Sequence, residues 1–61
     1  MPIIQVDAGP MSKETKAELC AKLTKTAAEI LNIPEQAFTV VLRENSGDNI
    51  SVGGTLLSDR K

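Results

Sequence analysis

The stretch Lys13-Glu14-Thr15-Lys16-Ala17-Glu18-Leu19-Cys20-Ala21-Lys22-Leu23-Thr24-Lys25-Thr26-Ala27-Ala28-Glu29-Ile30-Leu31 decides the fold, because its length sets what it can connect. Leu19, Cys20, Leu23, Ala27, Ile30 and Leu31 recur at helical spacing, and Lys16, Lys22, Lys25 and Glu29 fall largely off that stripe. Ser12 stands where an N-cap belongs, and Glu14 puts a negative charge in the first turn, where the helix dipole favours it. Thr15 occupies the place of a capping-box glutamate, so that box is incomplete. Asn32 can close the helix in a left-handed conformation, and Pro34 prevents its continuation. Such a helix spans roughly 27 Å, enough to run back along a short sheet.

Strands flank it on both sides. Ile3-Ile4-Gln5-Val6 is short, apolar and β-branched, and it stops in the turn cluster Asp7-Ala8-Gly9-Pro10. After the helix comes Ala37-Phe38-Thr39-Val40-Val41-Leu42-Arg43-Glu44. Period 2 places Phe38, Val40 and Leu42 on one face and Thr39, Val41 and Arg43 on the other. Asn45 to Asn49 reads as loop. Ile50 to Leu57 reads as a short strand, a Gly53-Gly54 turn and an apolar tail. The expected fold is α+β, a single domain over residues 1–61. It is a βαβ unit with two parallel strands, one right-handed crossover helix and a short C-terminal hairpin. One helix covers one sheet face, so Val41 and its neighbours are left bare. A two-stranded sheet is also too narrow to stand alone. The chain should therefore assemble through its sheets into an oligomer.

Composition supports that expectation. A chain of 61 residues buries only roughly 60% of the surface its unfolded form exposes. With one cysteine and no histidine, it can form no internal disulfide and has no set of zinc ligands, so no metal is expected. Association is what remains to stabilise it. The formal charge is −1, with the signs interspersed, and Phe38 is the single aromatic residue. Neither a basic stripe nor a stacking platform for nucleic acid is present. No apolar run reaches the length of a membrane span, and no signal-peptide pattern opens the chain. The unpartnered Cys20 fits a reducing compartment. The expectation is a cytoplasmic protein that binds neither nucleic acid nor membrane.

The usual catalytic constellations are missing. Without histidine there is no Ser-His-Asp or Cys-His set, and Gly53-Gly54 is not a phosphate loop. Cys20 lies on the apolar helix stripe and reads as core. Pro2 is different, because its chemistry depends on processing. Behind Met1 it is a tertiary amide without basicity; with Met1 removed it is a rigid secondary amine. An α-amino group titrates near about 7.7–8.0 unperturbed, and an apolar pocket or nearby cations lower that value. The product would be a general base suited to neutral pH.

Over its whole length the chain resembles the 4-oxalocrotonate tautomerase (2-hydroxymuconate tautomerase) family. The resemblance rests on Met1-Pro2-Ile3-Ile4-Gln5-Val6, on the helix start Ser12-Lys13-Glu14-Thr15-Lys16, on Ile33-Pro34 and on Val52-Gly53-Gly54-Thr55-Leu56. The tail from Gly53 to Arg60 looks most like the DmpI-like branch. The resemblance implies a cofactor-free isomerase, a keto–enol tautomerase acting on a small enol or keto acid of the 2-hydroxymuconate kind. It also implies removal of Met1, Pro2 as general base, and a homohexamer built as a trimer of dimers, with pockets shared between subunits. The best-known members hold carboxylates with two arginines and line the pocket with a phenylalanine. At those places this chain has Met11 or Pro10, then Thr39, then Ile50. Arg43 shares the strand face of Thr39, about 13 Å further along; it is the candidate for carboxylate recognition in a pocket formed with a neighbouring chain, or else a surface or inter-subunit salt-bridge residue near Glu44. The candidate site is thus Pro2 as catalyst, with Arg43, Thr39 and Ile50 binding substrate. The alternative is a non-catalytic oligomeric βαβ scaffold that has lost the substrate-binding arginines.

Overall fold

A computed structural model describes residues 1–60. Strand β1 (Ile3–Ala8) leads into helix α1 (Lys13–Leu31), then a 3-10 turn (Glu35–Ala37) and strand β2 (Thr39–Glu44). A second 3-10 turn (Gly47–Asn49) precedes the hairpin of β3 (Ser51–Val52) and β4 (Thr55–Leu56), and a third (Leu57–Asp59) follows it. β1 and β2 pair in parallel, from Ile3 opposite Thr39 to Ala8 opposite Glu44. The expected βαβ unit with a C-terminal hairpin is what the chain forms.

Local chemistry explains the boundaries. Ser12 caps α1 by accepting the Thr15 N–H at 3.2 Å, and its hydroxyl donates to Thr15 Oγ1 at 2.9 Å. A hydroxyl pair thus stands in for the incomplete capping box. Asn32 ends the helix in the left-handed region (φ 57°, ψ 46°), a conformation Asn tolerates better than most residues. Gly53 and Gly54 both have positive φ, 63° and 86°, which is the two-residue turn that matches strand twist. At Gly47 the constraint is close packing. A Cβ there would lie 3.2 Å from the Ser58 nitrogen, so its absence lets the last turn pack on the loop after β2.

Two boundaries differ from the sequence reading. β1 runs on through Asp7 and Ala8 because both find partners, Arg43 and Glu44, and the ladder continues with Asn45 N–H donating to the Ala8 carbonyl at 2.7 Å. Turn propensity loses here to a row of available hydrogen bonds. Ala37 and Phe38 do not belong to β2. The Ala37 and Phe38 N–H groups are engaged by the Pro34 and Glu35 carbonyls, which winds the chain into a turn before the strand starts.

The strands alternate as period 2 requires. Ile4, Val6, Ala8, Val40 and Leu42 are half-buried on the helix side. Lys16, Leu19, Cys20, Leu23, Thr24, Ala27 and Ala28 form the half-buried stripe of α1. Ile30 belongs to the expected apolar stripe by spacing, yet it remains 77% exposed. The opposite sheet face carries Ile3 at 56% and Val41 at 37% exposure, together with Gln5, Asp7, Thr39 and Arg43. None of the described residues is fully buried. The chain measures 43 × 24 × 15 Å with a radius of gyration of 14.8 Å, against about 10.5 Å for a compact domain of this length. It is a tile, with a face prepared for something else.

One polar joint ties the layers together. The Glu44 carboxylate accepts the Met11 N–H at 3.0 Å and Lys16 Nζ at 2.6 Å, joining the end of β2 to the start of α1. The Lys16 hydrogen bond, and after it that of Met11, holds the Glu44 carboxyl below its ordinary value. A carboxyl with a depressed folded pKa adds stability above its unfolded pKa and loses it as pH falls through the folded value. Glu44→Gln should therefore lower Tm slightly at pH 7, with the gap to wild type closing below about pH 4. A gap that stays constant across a melting series from pH 7 to 3 would remove Glu44 from this role.

Candidate active site

Pro2 stands at the head of β1, half-buried. Its carbonyl accepts the Thr39 N–H at 3.1 Å, one rung before the first paired residues of the sheet. That rung and the ring's fixed φ leave the pyrrolidine little freedom. Met1, which acylates the Pro2 nitrogen, is 91% exposed. Thr39 is therefore a true neighbour of Pro2, and its side chain lies on the bare face with Ile3 and Val41.

Arg43 and Ile50 lie elsewhere. Arg43 is opposite Asp7, four residues along the strand from Thr39, or about 13 Å. Its Nη1 approaches Asp7 Oδ2 at 3.8 Å, with the two side chains 51% and 62% exposed. That distance exceeds a hydrogen bond, and an exposed pair of this kind contributes little to stability. The neighbour in sequence, Glu44, is not its ion partner, because alternation sends Glu44 to the helix side and Lys16. Ile50 lines an open groove of about 370 Å³ with Asp7, Gly9, Pro10, Asn45 and Leu57, beyond the carboxyl ends of β1 and β2. Leu57 N–H donates to the Ile50 carbonyl at 2.8 Å, which fixes the hairpin there. A second groove of about 450 Å³ follows α1 along Leu19 and Leu23 beside the Glu18–Lys22 ion pair. Pro2 lines neither groove.

One chain thus holds the candidate site residues at opposite ends of its strand pair. Pro2 and Thr39 are at one end; Arg43 and Ile50 are at the other. Of the two residues considered for the first arginine position, Pro10 lines the Ile50 groove and Met11 is held by Glu44. Asp7 escaped the sequence reading, although a signal existed. Ile3 to Asp7 and Thr39 to Arg43 are equal intervals, so once Ile3 and Thr39 are paired in parallel, Asp7 must face Arg43. No helix among the described residues is long and apolar enough to cross a membrane.

Comparison with known proteins gives a consistent result. The model of a family described as "Tautomerase enzyme" matches residues 2–60. The fold is shared with DmpI from Archaeoglobus fulgidus, at 33% identity and a TM-score of 0.88, covering 95% of this chain and 100% of that one. A solved 4-oxalocrotonate tautomerase homologue aligns at 32% identity and a TM-score of 0.89, covering 100% and 98% of the two chains. TomN, a 4-oxalocrotonate tautomerase homologue of the tomaymycin biosynthetic pathway, aligns at 32% identity and a TM-score of 0.91, covering 97% and 92%. Among curated proteins, no sequence matches.

Proposed function

The chain belongs to the tautomerase family, and from that premise we propose that it isomerises an enol acid to its keto form with Pro2 as general base. Carrying this reading is the position of Pro2: a half-buried ring, tied to Thr39 by its carbonyl, behind a Met1 that projects into solvent. Loss of Met1 converts the amide into an amine whose direction the strand already sets. The amine takes the enol O–H proton as the carbonyl forms, and the resulting ammonium returns a proton to a carbon of the conjugated chain. One O–H bond is lost and one C–H bond is gained. The Thr39 hydroxyl, on the residue whose N–H bonds the Pro2 carbonyl, is the hydrogen-bonding group we propose for the substrate.

Self-association completes the pocket. With no described residue fully buried and Ile3 and Val41 bare, the sheet face needs covering. A two-fold axis across the strands runs the partner's strands the other way. The far end of one chain then lies against the Pro2 end of the next, bringing Arg43 and Ile50 of the partner subunit toward Pro2 and Thr39. A homohexamer of such dimers is the assembly we propose. A second reading, a scaffold without catalysis, draws on the place of Arg43, which among the described residues is the cation on the sheet face of Thr39 and lies at the far end of the strand pair from Pro2. Intact mass, to establish the loss of Met1, combined with an ultraviolet assay of 2-hydroxymuconate and related enol acids separates the two. Protein lacking Met1 that is no faster than Pro2→Ala on any of them supports the scaffold.

A further inference from the structure

Resting on the tautomerase reading, we infer that the site takes an enol or keto acid with a single carboxylate and an apolar far end. The inference comes from where the cations are. Lys13, Lys16, Lys22 and Lys25 all belong to α1. Lys16 is bound by Glu44 and Lys22 by Glu18. Arg60 donates to the Val52 carbonyl of the hairpin at 3.4 Å. On the sheet face that holds Ile3 and Thr39, Arg43 is the one cation among the described residues. Asp7 stays 3.8 Å from it, beyond hydrogen-bond distance, so that carboxylate does not occupy the guanidinium's donors, and another carboxylate can engage the fork with two parallel hydrogen bonds.

Symmetry fixes the proportion. An assembly of identical chains has as many copies of Arg43 as of Pro2, so there is one Arg43 guanidinium for each pocket. Aliphatic surface is available near the guanidinium: Ile50 and Leu57 line the groove at the far end, together with Asp7 and Asn45. An acid with one carboxylate finds its counter-charge in such a pocket and lays its tail on apolar surface. A second carboxylate would leave water without a partner, which is costly.

The test compares two enol acids on protein lacking Met1: 2-hydroxymuconate, with two carboxylates, and phenylenolpyruvate, with one carboxylate and an aromatic tail. The expected kcat/KM favours phenylenolpyruvate by about tenfold or more. Arg43→Ala should raise KM for it about tenfold or more and change kcat less. Sedimentation shows whether that variant assembles; where it does not, Arg43→Lys, which keeps the charge and loses the fork, should show the same split more weakly. Preference for the dicarboxylate overturns the inference and leaves the tautomerase reading standing. So does an unmoved KM in an assembled Arg43 variant, or a dicarboxylate activity that Arg60→Ala abolishes. Turnover of neither acid above the level of Pro2→Ala overturns the tautomerase reading, and this inference with it.

Discussion

Protein freed of Met1 should turn over an enol acid, and protein that retains Met1 should be slower by the whole contribution of a general base, about 10²–10⁴-fold. The reason is electronic. An acylated proline nitrogen has no lone pair to offer, so no change of pH or concentration restores it. Pro2→Ala falls between the two. Its amino group is still a base, but a primary amine on an unconstrained residue gives up the orientation that the ring and the Thr39 rung impose. The expected order is therefore processed wild type, then Pro2→Ala, then unprocessed protein. Mass spectrometry on the assayed samples makes that order meaningful. Unprocessed protein as active as processed protein would rule out the proline nitrogen as the base.

Val41→Asp should dissociate the assembly and unfold the chain in the same step. Val41 is in the middle of the bare face, 37% exposed in a chain where none of the described residues is fully buried. A carboxylate there faces either solvent, with the partner gone, or an apolar interface without a counter-ion. Because the isolated tile buries too little to balance its conformational entropy, losing the partner means losing the fold. Circular dichroism should show helix signal disappearing as sedimentation shows monomer. Wild-type Tm should fall on dilution, as mass action demands of coupled folding and association. A folded monomer with a Tm independent of concentration would contradict this account.

Much of the fold could be read from the chain because its signals were local. The Ser12 cap, the spacing of Leu19, Leu23 and Ala27, and the Asn32–Pro34 stop bound α1 to the residue, and Gly53-Gly54 marks the hairpin. Pairing is harder to read. Asp7 and Ala8 look like turn residues until Arg43 and Glu44 are set opposite them, and Phe38 looks like strand until its N–H is seen bonded to Glu35. Ile30 looks like core by spacing and is solvent-exposed in the single chain, because periodicity reports an apolar face without saying which chain covers it. The candidate site is less evenly legible. Pro2 is proposed from chemistry that one residue carries, whereas the roles proposed for Thr39, Arg43 and Ile50 depend on which ends meet between chains.

The separation of Pro2 from Arg43 along the strand pair has a consequence for mixtures. Neither end needs to come from an intact chain. Co-refolded with each other, Pro2→Ala and Arg43→Ala chains would build some pockets that take the amine from one variant and the guanidinium from the other. Two preparations impaired for different reasons would complement, and the unit of function would be the contact between chains rather than the polypeptide.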